Sequence, residues 1–92
     1  MSEPHKHDTH PEIVKRLKRA SGHLKSVIDM IEADRSCLDI AQQLQAVEKA
    51  ISQAKKTLIH DHLDHCLEEA VEGGPGVDKS ALAEFREIAR YL

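Results

Sequence analysis

The sequence predicts an all-α domain, a three-helix protomer that pairs into an antiparallel four-helix-bundle dimer. Apolar residues recur at alternating steps of three and four over two long stretches, the periodicity of a helix face and not of a strand. One Phe, one Tyr and no Trp in 92 residues leave a core of Leu, Ile, Val and Ala, with few strand formers. Charged residues make up 32 % of the chain beside abundant Ala, Leu, Gln, Glu and Lys. That is the composition of a folded helical chain, not a disordered one. A chain of this length supports a single core.

Residues 1–10 are polar and hold His5, His7 and His10; they are expected to form a mobile arm ahead of a helical domain at 11–92. Thr9 and Glu12 have capping-box spacing and Pro11 suits a first helical turn, so a helix should begin there. Its seam is Ile13, Leu17, Ala20, Leu24, Val27 and Ile31. Gly22 weakens this helix by roughly 1 kcal/mol against Ala and calls for a reason such as close packing. Asp34-Arg35-Ser36 interrupts the pattern, and Ser36 followed by Asp39 reads as a new N-cap. The second seam is Ile40, Leu44, Val47, Ile51, Ala54 and Leu58, and no breaker appears before Gly73-Gly74-Pro75-Gly76. Such a helix is roughly 50 Å long at 1.5 Å per residue. The first helix covers about two-thirds of it, and a third segment from Asp78 (Leu82, Phe85, Ile88, Leu92) adds about four turns. Part of the long helix therefore needs another subunit, and two antiparallel hairpins in a four-helix bundle bury both seams with short connections.

Thirteen basic against sixteen acidic side chains give a net charge of −3, which argues against a non-specific nucleic-acid coat. The charges are segregated. Lys15, Arg16, Lys18, Arg19 and Lys25 lie together with no acid among them, and Asp29, Glu32, Asp34 and Asp39 follow. This basic stripe is the DNA-binding candidate, set against the plainer reading of a solvated helix face. No helix-turn-helix recognition helix is apparent, so phosphate contacts and DNA shape should dominate. No apolar run approaches the ~20 residues of a membrane span and the N-terminus lacks a signal-peptide stretch, so a cytoplasmic location is expected. An enzyme is not expected: the chain has no Gly-rich phosphate loop, no carboxylate pair in a recognisable pocket and no serine with a base at motif spacing.

In a cytosolic chain Cys37 and Cys66 stay reduced, which leaves metal ligation, redox reactivity or simple burial open to them. His62 and Cys66 are four apart and project from one helix face within reach of one metal ion. Cys37 falls in the first turn after the Ser36 cap, where backbone N–H groups and the helix dipole favour thiolate over thiol. The two cysteines sit about 43 Å apart along one helix. They cannot share a metal within one chain, but they can across an antiparallel dimer. His23, His60 and His65 read as solvated surface groups.

The strings RLKRASGHLKSVIDMIE, SCLDIAQQLQAVEKAI and IHDHLDHCLEE resemble the family of small helical bacterial repressors that includes copper-sensitive, nickel/cobalt-responsive and formaldehyde-responsive members. The resemblance spans nearly the whole chain. Its key is a cysteine opening the second helix, a histidine twenty-five residues on, and Cys or His four beyond; Cys37, His62 and Cys66 meet all three conditions. The resemblance implies dimers pairing into a flat tetramer, operator DNA bound in the resting state, and release when an inducer fills an intersubunit site. It also implies the ligands. Copper sensors of the family hold Cu(I) with Cys, His and Cys, whereas nickel and cobalt sensors add an arm histidine, a position on which His5 falls, with His7 and His10 as substitutes.

The set His5, Cys37, His62 and Cys66 suits planar Ni(II) better than trigonal Cu(I). Copper sensors also resemble one another in a Tyr beside the first Cys, where this chain has Ser36. Ni(II) or Co(II) is therefore the expected inducer, with Cu(I) the alternative, as is a formaldehyde or persulfide sensor in which Cys37 is the reactive group. A metal buffer without a DNA target is a further reading. Arg16 and Arg19 match basic positions that the family uses against DNA, joined by Lys15 and Lys18. Many members carry an Arg near Ala46–Lys49, and Lys49 is expected to supply that charge.

Overall fold

The computed structural model describes residues 9–72 and 79–92, in three helices: α1 (His10–Glu32), α2 (Cys37–Glu72) and α3 (Lys79–Ala89). The described residues contain no strand, as the composition predicts. His5, His7, the rest of the arm to residue 8, the Gly73-Gly74-Pro75-Gly76 break and Asp78 lie outside the described residues.

The expected capping box at Thr9 does not form. Thr9 already has helical backbone angles (φ −81°, ψ −16°) and its side chain makes no cap hydrogen bond. An N-cap hydroxyl reaches the next turn from an extended backbone, which Thr9 lacks. Its Oγ1 is buried without a hydrogen-bond partner among the described residues, while its carbonyl accepts from the Ile13 amide at 2.9 Å. Pro11 does sit in the first turn, as its missing N–H favours.

The turn between α1 and α2 is built locally. The Arg35 amide donates to the Met30 carbonyl at 3.0 Å and the Asp34 amide to Ile31 at 3.1 Å, the pair of bonds that closes a helix when the residue after its cap turns left-handed. Asp34 occupies that position with φ 58°, the single non-glycine positive φ among the described residues. Asp tolerates it through its short polar side chain. The cap at Ser36 forms as expected: its Oγ accepts from the Asp39 amide at 3.1 Å, and Asp39 also faces Arg35 at 3.7 Å.

α1 and α2 pack as a hairpin, and α3 rests on α2 alone. The core between the long helices is thin: Ile13, Ala20 and Val27 from α1, Val47, Ala54 and Ile59 from α2. These are every second member of each heptad seam except Ile40, which is half-buried, with Ile59 added. The alternate members Leu17, Leu24, Ile31, Leu44, Ile51 and Leu58 remain 39–53 % exposed, against 6 % or less for the core. The protomer measures 60 × 28 × 14 Å, so it is one helix layer thick. A single layer cannot cover both sides of a heptad stripe. Burying a leucine or isoleucine fully is worth about 1.5–3 kcal/mol, so six half-exposed ones leave a large driving force unused in the isolated protomer.

Gly22 has no neighbour within 4 Å of where a Cβ would stand, so the protomer supplies no packing reason for it. Replacing Gly22 with Ala is expected to stabilise the protein by about 1 kcal/mol, and Asp34→Gly, which relieves the left-handed residue, by about 0.5–1 kcal/mol. Urea midpoints at fixed protein concentration read both; a loss of stability in Gly22→Ala would mean that something outside the protomer approaches that face.

Candidate metal centre and basic groove

Near the end of α2, helical spacing brings Cys66 Sγ to 3.5 Å from His62 Nε2, both side chains half-buried. Bonds of about 2.0 Å to nitrogen and 2.3 Å to sulfur from one ion would place such donors roughly 3.0 Å apart in a planar site and 3.5 Å apart in a tetrahedral one. The pair therefore fits a transition metal as it stands, with soft sulfur and borderline nitrogen donors. From α3, Glu84 Oε1 approaches the same Nε2 at 3.8 Å. Glu84 was not legible in the sequence, because the register of α3 on α2 depends on the intervening segment. A carboxylate among the apolar positions of α3 was its only signal.

Cys37 stands apart. It is exposed at the first position of α2, about eight helical turns before Cys66. Among the described residues of the protomer, no group of three or more His, Cys, Asp or Glu side chains is placed to hold a metal ion. The structure joins His62 with Cys66 and leaves Cys37 separate; His5 lies outside the described residues. Of the remaining histidines, His60 is exposed and His10 opens α1. His65 is half-buried and faces Asp61 at 3.6 Å. His23, expected to be a solvated surface group, instead bonds across the hairpin to Gln43, with 2.6 Å between Nε2 and Oε1.

The basic residues divide between two faces. Arg16 and Arg19 line an open groove between α1 and α2 together with Glu12, Ala20, His23, Ala50 and Gln53. Lys15 and Lys18 are exposed but do not line that groove. Lys49 borders a separate depression along α2 with Gln45, Glu48, Ile51, Ser52 and Lys55.

Three helices, a two-donor half-site and an arginine groove describe a helical regulator more closely than a catalyst. The family description "Metal-sensitive transcriptional repressor" matches residues 9–91. The chain belongs to that family, whose members are repressors and not enzymes. It is 40 % identical over 79 residues to the copper-sensing transcriptional repressor RicR of Mycobacterium tuberculosis, covering 85 % of this chain and 82 % of that one. It is 35 % identical over 77 residues to the copper-sensing repressor CsoR of Bacillus subtilis, covering 84 % and 74 %. Among solved structures, the nickel-responsive transcriptional regulator InrS superposes with a TM-score of 0.78 at 30 % identity over 96 % of this chain and 98 % of that one. The protein is thus a metal-sensing transcriptional repressor, with copper- and nickel-responsive relatives.

Glu84 approaches the same ring nitrogen that Cys66 faces, so its carboxylate stands beside the candidate donor atoms and not behind the ring. Glu84→Gln removes a negative charge beside a bound cation and is expected to lower metal affinity by roughly two- to fivefold, as for other exposed charge pairs. A competition titration against a chelator measures it, and an unchanged affinity would reduce the Glu84 contact to a surface pair.

Proposed function

We propose that this protein is a cytoplasmic repressor that holds operator DNA when metal-free and is released when Ni(II) or Co(II) binds between subunits. The observation that carries the reading is the separation of the donors. His62 and Cys66 form a ready pair at one end of α2, and an exposed Cys37 waits at the other. In an antiparallel pair of hairpins, the start of one α2 lies beside the end of its partner's, which supplies the missing thiolate. The half-exposed seam of Leu17, Leu24, Ile31, Leu44, Ile51 and Leu58 is the surface on which such a dimer closes, and two dimers form the tetramer.

Within this account Cys37, His62 and Cys66 are ligands and His5 is the fourth. Two imidazoles and two thiolates select a four-coordinate divalent ion by geometry, since affinity order alone favours copper at nearly any site. Bound metal supplies a cross-link between two α2 helices. The protein does the rest: fixing the ends of the long helices relative to one another shifts the hairpins, and with them the spacing between basic grooves that must match the DNA. Lys15, Arg16, Lys18, Arg19 and Lys49 make the DNA surface, with Arg16 and Arg19 at its centre because both line the groove.

A Cu(I) inducer is the second reading. The 40 % identity to RicR favours it, as does the 3.5 Å donor separation, which suits a wide trigonal or tetrahedral angle without movement. Replacing Cys37, His62 or Cys66 is expected to abolish tight binding of any thiophilic metal. His5→Ala separates the metals: it should weaken Ni(II) and shift its charge-transfer band while leaving Cu(I) untouched. If the combined His5, His7 and His10→Ala variant binds Ni(II) like the wild type, the three-ligand Cu(I) site is the correct one; formaldehyde- or persulfide-dependent release with a mass adduct on Cys37 would replace both.

Charge reversal at Arg16 or Arg19 is expected to weaken DNA binding across sequences and to flatten its salt dependence by about one phosphate contact, leaving metal affinity intact. Unchanged DNA affinity in both variants would move the DNA surface off the groove. Sedimentation at micromolar concentration should give a dimer or tetramer, and a folded monomer would remove the intersubunit site.

A further inference from the structure

The groove between α1 and α2 holds a group that charge counting leaves out. His23 lines it one turn beyond Arg19 and two beyond Arg16. Its Nε2 lies 2.6 Å from Gln43 Oε1. An amide oxygen only accepts, so the ring tautomer that satisfies this contact carries its proton on Nε2. The other nitrogen, Nδ1, is then a lone-pair acceptor in the neutral ring and an N–H donor in the cation. An acceptor turned toward a phosphate repels it; an N–H donor bearing charge binds it. The rest of the groove sharpens the contrast. The groove is lined besides His23 by Glu12, Arg16, Arg19 and Ala20 from α1 and by Ala50 and Gln53 from α2, so its α2 lining carries no charge, and Gln43, the partner of His23, is neutral too. Glu12 is three turns from His23, at the far end. α3 does not touch α1.

We propose that this groove is a phosphate-binding site in which His23, in its protonated form, joins Arg16 and Arg19 on a backbone phosphate of the DNA, with Gln43 holding the ring in place. The proposal rests on the DNA-binding reading above and deepens it: His23 is a binding residue, and DNA affinity takes up a proton at each occupied groove. A DNA phosphate stays an anion throughout pH 6–8, so the added proton resides on the ring and the gain is a charge-assisted hydrogen bond.

The test uses the full-length, reduced, metal-free protein and a labelled duplex selected by it from a random-sequence pool. Binding is measured at pH 8 and pH 6 for wild type, His23→Gln and His23→Arg. Gln can still bond Gln43 without charge, and Arg carries its charge at every pH. At pH 8 His23→Gln should bind within about twofold of wild type, and at pH 6 about tenfold more weakly. His23→Arg should bind more tightly than wild type at pH 8 and lose the same part of the pH dependence. Contributions from the other six histidines are common to all three proteins and cancel in the ratios. A His23→Gln variant with the wild-type pH profile, or an Arg variant that binds more weakly at both pH values, overturns the assignment while the DNA reading stands. Failure of the wild type to bind DNA at either pH overturns that reading, and this one with it.

Discussion

The length of α2 governs everything else in this molecule. Thirty-six residues in one helix face only twenty-three in its hairpin partner α1 and eleven in α3. The heptad stripe is also too wide for one neighbour. Its inner members, Ala20, Val27, Val47 and Ala54, close the hairpin, while its outer members stay half-exposed. Four of the six buried residues are Ala or Val and the outer row is Leu and Ile, so the larger apolar area is left uncovered in the protomer. The same length sets Cys37 and Cys66 at opposite ends of a rod. A helix whose apolar stripe calls for a partner is thereby also one whose candidate metal donors would need one.

Local features of this fold were legible in the sequence where local physics decides them. The Ser36 cap required only a hydroxyl three residues before an amide, and it formed. Helical period identified the seam residues, but period alone does not say which half of a stripe faces its own hairpin, and that division appeared only in the packing. Thr9 shows the limit at short range: the same spacing signal failed because its backbone had already turned helical. The proximity of His62 and Cys66 follows from a four-residue step and was readable. Glu84 was not, since its place beside His62 depends on how α3 returns along α2. The contact that His23 makes was not readable for a related reason. Its neighbours in sequence are basic, but its partner Gln43 comes from twenty residues away across the hairpin.

The candidate metal donors and the basic groove occupy different parts of one hairpin. Arg16, Arg19 and His23 lie along the middle of α1, facing Ala50 and Gln53 of α2, while the donors lie at the α2 termini. No chain of contacts needs to carry a signal between them. If the termini of two α2 helices are drawn together, each hairpin moves as a body and the distance between grooves on different protomers changes. A surface that reads phosphates spaced along a duplex is sensitive to such a change, because every contact must be met at once.

The central claim is that one site takes Cys37 from one subunit and His62 with Cys66 from its partner, and co-expressed variants test it most directly. Cys37→Ala and Cys66→Ala homodimers should each lack tight metal binding. A purified heterodimer of the two has one site with both defects and one with none, so it should bind one equivalent of metal for every two bound by the wild-type dimer, with the wild-type charge-transfer spectrum. A heterodimer as inert as either parent would contradict the account, because it would place all the ligands of each site within a single chain.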